Sequence, residues 1–372
     1  MKKILFIIYS LSTGGGSEAL LTMIVNHLDP EKYEIGIVEI IHDTVKQEPI
    51  NDKVTLYPYY VEMSDPERKP KMYYVYHEWD KVIGEYIPSD YDLYISFNYL
   101  RPVFLLPPGK RTIAWINEDV RKLEQKNFSE EKGLQNRAFY KADRIVAVSD
   151  VVEKSLLNLF PEHRERILKI YNGIDVEIIQ RRAKEHPAVE LQHPAILSVG
   201  RLDSNKNPLR MLDIFERVHQ ENECAHLYYI GYGELEEVVR EAARDKGIQD
   251  YVHLLGYQDN PFPIVAQGDV NVLVSVTESF GLAIAEGLSL GIPFVGTDVG
   301  ALKLLSNKGA CGKIVETDEE AANAILKLLA VNKQKSAVEC LKSVRRYDVE
   351  TYIQQIEQLF EKTLRMQEKD IM

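Results

Sequence analysis

The stretch 277–293, TESFGLAIAEGLSLGIP, places two carboxylates, Glu278 and Glu286, eight positions apart in a run that is otherwise apolar, small or hydroxylic. Ionised carboxylates only accept hydrogen bonds, so two of them in so apolar a run need an explanation. The structural alternative is an amphipathic helix with Glu278 near its N-terminus, where its charge suits the macrodipole, and Glu286 on a solvated face. Upstream, VGRLDSNKNP (199–208) sets Arg201 and Lys206 ahead of a helix opening at Asn207–Pro208, where proline suits the first turn. Two fixed cations beside a helix N-terminus can clamp a pyrophosphate, Arg bidentately and Lys as a point charge, or they are ordinary surface charges in a turn. Near the start, STGGGSEALL (12–21) runs Gly14, Gly15 and Gly16 into a helix. Backbone N–H groups there can approach an anion closely, although the loop has neither the GxGxxG nor the Walker A spacing and is equally readable as a flexible turn. Gly231 and Gly233 in IGYGELEEV (230–238) repeat this arrangement with the same two readings.

These loops need elements to hold them. Continuous apolar runs of strand length recur at 3–11, 33–41, 91–97, 111–116, 144–149 and 167–172, and again at 194–200, 225–231, 251–256, 270–275 and 293–297. Continuous rather than alternating runs are the mark of strands covered on both faces. Helical segments lie between them, at 17–28, 151–160, 208–220 and 233–247, which makes a βα pattern and a mostly parallel, doubly wound sheet. The lapse over 178–194, charged and with two prolines, makes 179–193 a linker candidate. The expected organisation is therefore an N-terminal Rossmann-like domain over 1–178, a linker over 179–193 and a second such domain over 194–348. VETYIQQIEQLFEKTL adds an amphipathic helix within 349–372, with Tyr352, Ile356, Leu359 and Phe360 near one face. In open α/β sheets ligands bind beyond the carboxyl ends of the strands, so two such domains facing across a cleft would put these loops at the ligand. With the 270–275 strand ending at Ser275, the helix begins near Phe280–Gly281, and the free N–H groups of Phe280, Gly281 and Leu282 would face that cleft.

The 372 residues are 45% hydrophobic and 27% charged, an ordinary globular composition. A formal charge of −12 argues against nucleic acid as a partner. Cys224, Cys311 and Cys340 are odd in number, far apart and without metal-ligand spacing, as expected of free thiols in a reducing cytoplasm. MKKILFIIYSLSTGGG has the basic start and apolar run of a signal peptide, but its short β-branched run passing into glycines reads as a first buried strand. No run of about 18 apolar residues marks a membrane span.

GGGSE near the N-terminus, GRLDSNKN, IGYGEL and above all ESFGLAIAEGLSLGIPFVGTDVG resemble the retaining nucleotide-sugar glycosyltransferases of glycosyl transferases group 1, or family 4. The likeness spans nearly the whole chain, and NGID (172–175) falls where that family ends its first domain. The resemblance implies a GT-B fold: two Rossmann-like domains facing across a cleft, the second binding most of the donor, and a C-terminal helix crossing back to the first. It implies that Arg201 and Lys206 hold the donor diphosphate and that Gly15 and Gly16 close over the phosphates. It further implies that Glu286 accepts hydrogen bonds from the ribose, that Glu278 reaches the transferred sugar, and that the Phe280–Gly281–Leu282 backbone supports the diphosphate or sugar. No cofactor beyond the nucleotide-sugar co-substrate and no metal is expected, since no DxD run occupies a suitable loop. UDP is the expected nucleotide, a glycan or lipid-linked molecule the expected acceptor, cell-surface polysaccharide synthesis the expected pathway, and the cytoplasm the expected location.

Where the family carries a histidine after a first-domain strand, this chain has Asn117 in RTIAWINEDV. Asparagine can hydrogen-bond a sugar hydroxyl but cannot titrate. The alternative is that Glu118 or Asp119 fills the role. After Gly300 the chain runs ALKLLS where the family often has an acid. On the acceptor side, PERKPKMYYVYHEW (66–79) and VRKLEQKNF (120–128) mix basic and aromatic residues, which reads either as peripheral contact with anionic lipid headgroups at the inner membrane face or as an exposed turn with a half-buried helix. Two rivals remain: a catalytically weak binding or chaperone subunit of a partner glycosyltransferase, which Asn117 supports and the complete donor set opposes, and a sugar-nucleotide epimerase, which would want more titratable groups.

Overall fold

The computed structural model describes residues 1–12, 15–43, 49–98, 100–124, 129–331 and 333–366. The chain divides into two compact units, Met1–Gly173 with Glu350–Met372, and Ile174–Val349.

In the first unit the strands are β1 (Lys2–Ile8), β2 (Tyr33–Glu39), β3 (Ile41–His42), β4 (Thr55–Leu56), β5 (Val61–Glu62), β6 (Leu93–Asn98), β7 (Arg111–Ile116), β8 (Arg144–Ala147) and β9 (Ile167–Lys169). Its helices are α1 (Gly16–His27), α2 (Arg68–His77), α3 (Trp79–Tyr86), α4 (Ser129–Phe139) and α5 (Asp150–Leu159). The main sheet runs β4-β2-β1-β6-β7-β8-β9, with β3 and β5 paired separately. Its pairs are all parallel; Ile4, for instance, stands between Ile35 and Leu93. Ile4 to Ile8 are all buried, which is why β1 reads as an unbroken apolar run.

The second unit begins with α6 (Val176–Arg182) and holds β10 (Ala195–Val199), α7 (Pro208–Glu221), β11 (His226–Ile230), α8 (Glu236–Asp245), β12 (Val252–Leu254), α9 (Phe262–Val265), β13 (Val270–Leu273), α10 (Leu282–Ser289), β14 (Phe294–Gly296), α11 (Leu302–Leu305), β15 (Gly312–Ile314), α12 (Asp318–Leu329) and α13 (Lys333–Arg345). Its parallel sheet has the order β12-β11-β10-β13-β14-β15. Met211, Leu212, Phe215 and Val218 of α7 pack onto the strand side chains Ile196, Leu227 and Val272. At the boundary, the segment read as a linker starts inside α6, because Asp175 caps that helix by accepting from the Ile178 N–H at 2.8 Å. β15 and α12 escaped the strand-and-helix reading, although Thr317 and Glu320 form a capping box that the TDEE tetrapeptide spells out.

The last helix, α14 (Val349–Leu364), belongs to the first unit apart from its opening residue. Tyr352, Ile356, Leu359 and Phe360 are all buried, as their spacing requires. Phe360 meets Phe6 and Tyr33 edge to face at 6.4 and 6.0 Å, and Tyr352 meets Trp115 at 6.4 Å. Gly173 sits so close to α14 that a Cβ there would lie 2.3 Å from the Tyr352 ring.

Candidate active site

In the second unit the strand order reverses between β10 and β13, the place where open α/β sheets bind ligands. The loops leaving these two strands carry Arg201 and Lys206, and Glu278 through Leu282. A small recess between them is lined by Gly200, Arg201, Lys206, Val274 and Ser275. Asn205 ties the loops together: its backbone carbonyl accepts from the Val276 N–H at 2.8 Å, and its side-chain oxygen accepts from the Thr277 N–H and hydroxyl at 3.2 and 2.8 Å. Lys206 Nζ then lies 2.5 Å from Glu278 Oε1, with both side chains largely shielded from solvent. Sequence reading had assigned these two residues to different parts of a ligand; the structure makes them an ion pair. Arg201 is two-thirds exposed and its Nε donates to Asp203 Oδ2 at 2.8 Å, while the other Asp203 oxygen accepts from the Lys206 N–H at 2.9 Å. These contacts hold the Asp203 carboxyl below its ordinary range although its burial works the other way.

Gly231 and Gly233 have a structural explanation. A Cβ at Gly231, where φ is 138°, would lie 2.1 Å from the Gly200 carbonyl oxygen, and one at Gly233 would lie 2.3 Å from that of Leu202. These glycines let the loop after β11 zip onto the loop after β10, through Gly200 N–H to Ile230 O and Leu202 N–H to Tyr232 O, each 3.0 Å. They shape the cation loop from behind.

Helix α10 begins one to two residues later than its predicted start. Gly281 is its N-cap with φ 99°, a conformation that favours glycine, and no side chain caps the helix. Its first amides are thus left for another acceptor. Phe280 is fully buried, edge to face with Tyr347 at 5.4 Å. Gly300 packs behind this turn, where a Cβ would lie 2.9 Å from the Phe280 carbonyl oxygen. Glu286 sits one turn into α10. Surrounding protein strips water from it and pushes its carboxyl up to about 7, against the opposing pull of Arg182 and Lys206. No hydrogen bond to its carboxylate comes from any described residue. It is half-buried and not on a solvated helix face, an acceptor without a donor among the described residues.

In the first unit the order reverses between β1 and β6, and the glycine loop leaves β1. Gly15 is the N-cap of α1 and Gly16 its first residue; Gly14 lies outside the described residues. A Cβ on Gly15 would lie 2.5 Å from Glu18 Oε2, so the Glu18 carboxylate folds back over the helix start. The loop is held by a residue that sequence reasoning missed. Glu39, at the end of β2 and nine-tenths buried, accepts through Oε1 from the Leu11 N–H (2.7 Å), the Ser12 N–H (3.0 Å), the Ser12 hydroxyl (2.6 Å) and the Ser10 hydroxyl (3.2 Å). Its other oxygen meets His42 Nδ1 at 2.8 Å, and the His42 ring stacks on Tyr59 at 4.6 Å. A lone acid closing a strand gives no local sign of this.

Asn117 follows β7 directly. It is buried, and neither its amide nitrogen nor its amide oxygen has a partner among the described residues. Its neighbours are engaged: Glu118 accepts from the Leu100 N–H at 3.0 Å, and Asp119 accepts from Arg121 Nε at 2.7 Å. A buried amide left without partners costs about 1–3 kcal/mol, so this position is open to a partner that the described residues do not supply. The basic and aromatic segment at 66–79 is partly self-satisfied. Arg68 Nη1 donates to the Met63 carbonyl at 2.7 Å and Lys71 pairs with Asp65 at 2.6 Å, while Tyr73 and Tyr74 stay exposed. Residues 125–128 of the second basic stretch lie outside the described residues.

Residues 193–331 match the family described as Glycosyl transferases group 1, and residues 14–178 match Glycosyltransferase Family 4. The chain is a group 1, family 4 glycosyltransferase. This glycosyltransferase is 26% identical over 332 residues, 86% of its own length and 87% of the other's, to the N-acetylgalactosamine-N,N'-diacetylbacillosaminyl-diphospho-undecaprenol 4-alpha-N-acetylgalactosaminyltransferase of Campylobacter jejuni. It is also 25% identical over 182 residues, 48% of this chain and 47% of the other, to the N-acetyl-alpha-D-glucosaminyl L-malate synthase of Bacillus anthracis. Its fold is similar to that of HepE from Anabaena, solved with UDP and glucose, at a TM-score of 0.74 and 16% identity over 97% of this chain and 100% of that one. WaaG, a glycosyltransferase involved in lipopolysaccharide biosynthesis, aligns at a TM-score of 0.73 and 14% identity over 95% of this chain and 98% of that one. The two parallel-sheet Rossmann-like units are those of the GT-B fold. No described helix is long and apolar enough to cross a membrane.

Proposed function

We propose that this glycosyltransferase moves a sugar, with retention of anomeric configuration, from a nucleoside diphosphate donor to a glycan or lipid-linked acceptor in cell-surface polysaccharide synthesis. The observation that carries the donor assignment is Glu286: a half-buried carboxylate with a raised pKa and no donor from the described residues, one turn into the uncapped helix α10 beside the Lys206 loop. Ribose hydroxyls supply the missing donors. The diphosphate lies on Lys206, Arg201 and the first amides of α10. As the sugar leaves, negative charge grows on the departing phosphate oxygens, and fixed cations and helix-start dipoles stabilise it without needing to reorganise. On this reading no metal ion is required. Glu278, held by Lys206, takes the hydroxyls of the transferred sugar; in the first unit, a sugar hydroxyl is the partner we infer for the unused amide of Asn117.

HepE, the structural neighbour, is known with UDP, which makes UDP the first nucleotide to test. The Campylobacter relative acts on a diphospho-undecaprenol-linked sugar, which places a lipid-linked acceptor first in the screen. Peripheral contact with anionic lipid from the cytoplasmic side, through exposed Tyr73 and Tyr74 and their basic neighbours, accords with such an acceptor. The test is calorimetric titration with UDP, GDP and ADP, with and without EDTA. Tight binding of one nucleotide that survives EDTA is the expected result. Binding of none would move the assignment to a non-catalytic subunit of a partner glycosyltransferase, and binding abolished by EDTA would overturn metal independence.

A further inference from the structure

Of the three cysteines, Cys224 is exposed, whereas Cys311 and Cys340 are buried free thiols in the second unit. They are 29 positions apart in sequence but converge in space. Cys311 stands at the start of β15, where its Sγ donates to the Leu305 carbonyl at 3.1 Å. Ser343 on α13 donates to that same carbonyl at 2.6 Å, and Cys340 lies one turn before Ser343 on the same helix face. Cys311 Sγ and the Ser343 hydroxyl thus meet at one carbonyl oxygen, and the Cys311 and Cys340 side chains interact with each other. Two thiols held this way on facing elements are placed for a disulfide, which needs its own close approach of the sulfurs.

We propose that Cys311 and Cys340 are a reversible thiol pair that closes to a disulfide when the protein meets a hydroperoxide. The Cys311 thiolate attacks one peroxide oxygen, the O–O bond breaks, and hydroxide leaves with sulfenic acid formed at Cys311. The Cys340 sulfur then attacks the Cys311 sulfur, the S–O bond breaks, and the departing hydroxide takes the Cys340 proton as water. In sum, two thiols lose two electrons and two protons, and the peroxide becomes two waters. The order of attack follows from the site: the interaction with Cys340 lowers the Cys311 thiol below its ordinary value, while that of Cys340 is pushed up by Cys311 and by burial. The bond would pin α13 to the edge of the sheet. This matters for the donor helix, because α13 lies against the end of α10: a Cβ at Gly291 would sit 2.8 Å from the Ala337 Cβ. The inference does not depend on which donor the enzyme uses.

The experiment treats the full-length protein, reduced with a phosphine and then desalted, with hydrogen peroxide; free thiols are alkylated in denaturant and the peptides weighed. The expected result is a Cys311–Cys340 cross-linked peptide that reverts on reduction. Closing a loop of about thirty residues should also raise the melting temperature by roughly 5 °C or more over the reduced protein. Neither change should appear in Cys340→Ser, and if that variant does not fold, the oxidised and reduced wild-type proteins still decide the matter. Full oxidation of Cys224 with both Cys311 and Cys340 alkylated would overturn the proposal, as would a disulfide that involves only Cys224.

Discussion

Replacing Glu286 with Gln tests the donor site through proton linkage. Burial lifts this carboxyl to about 7, so it titrates in the range where the enzyme is handled. If the ionised form binds the ribose, affinity for UDP scales with the ionised fraction, about 9% at pH 6 and about 91% at pH 8. That is a tenfold change, or ~1.4 kcal/mol. The terminal phosphate of UDP also titrates near pH 6, so the informative quantity is the difference between the wild-type and Glu286→Gln profiles, from which the ligand's own protonation cancels. At pH 8 the variant should bind about tenfold or more weakly, the worth of a charge-assisted hydrogen bond of about 1.5–3 kcal/mol. Stability moves the other way. The folded pKa lies above the unfolded one, so the native state binds the extra proton between pH 4.5 and 7, and stability is lost as pH rises through that window. Glu286→Gln removes this penalty and should stabilise the protein by about 2–3 kcal/mol at pH 8 with little effect at pH 4.5, measured by urea denaturation. Parallel wild-type and variant binding profiles, with unchanged affinity at pH 8, would refute the assignment of Glu286 and the reasoning from its burial.

Three further outcomes follow from the geometry. Asn117→Ala removes an amide that makes no hydrogen bond within the described residues, so melting should stay within a few degrees of wild type while transfer from the donor falls about tenfold or more; unchanged transfer would show that the amide is not used, and Asn117→His tests the same position for a gain in turnover. Gly231→Ala forces a methyl into the Gly200 carbonyl, and should cost about 1–3 kcal/mol in denaturation and weaken UDP binding by displacing the Arg201–Lys206 loop; wild-type stability would sink the account of that glycine. His163, buried between Asn136 and Arg166, has its pKa lowered to about 4 by desolvation first and Arg166 second. Its neutral form is therefore favoured on folding, and the contribution present above pH 6.5 is lost as pH falls, by ~1.4 kcal/mol at pH 5.5 and up to ~3 kcal/mol below pH 4. Denaturation curves of His163→Gln should accordingly show a shallower loss between pH 6.5 and 4 than wild type.

Much of this enzyme was present in local sequence. The apolar runs of β1, β7 and β13 declare strands buried on both faces, because a parallel sheet covered by helices leaves no polar face to alternate. Proline at 208 and glycine at 281 mark helix starts through their backbone preferences alone, and the spacing of Glu278 and Glu286 with Phe280–Gly281 carries the family resemblance. What tertiary structure decided is which of these groups meet. Lys206 and Glu278 are 72 residues apart and form a pair only because β10 lies beside β13, an adjacency made by crossover connections that leave no trace in either segment. Glu39 holds the glycine loop because β2 lies beside β1. Gly231 is required by a backbone from another loop, and Cys311 reaches Cys340 only because α13 folds back over the end of the sheet. Local propensity acts over a few residues, so it names the elements and their ends. The polar contacts of the site depend on strand order, which only the packed fold determines.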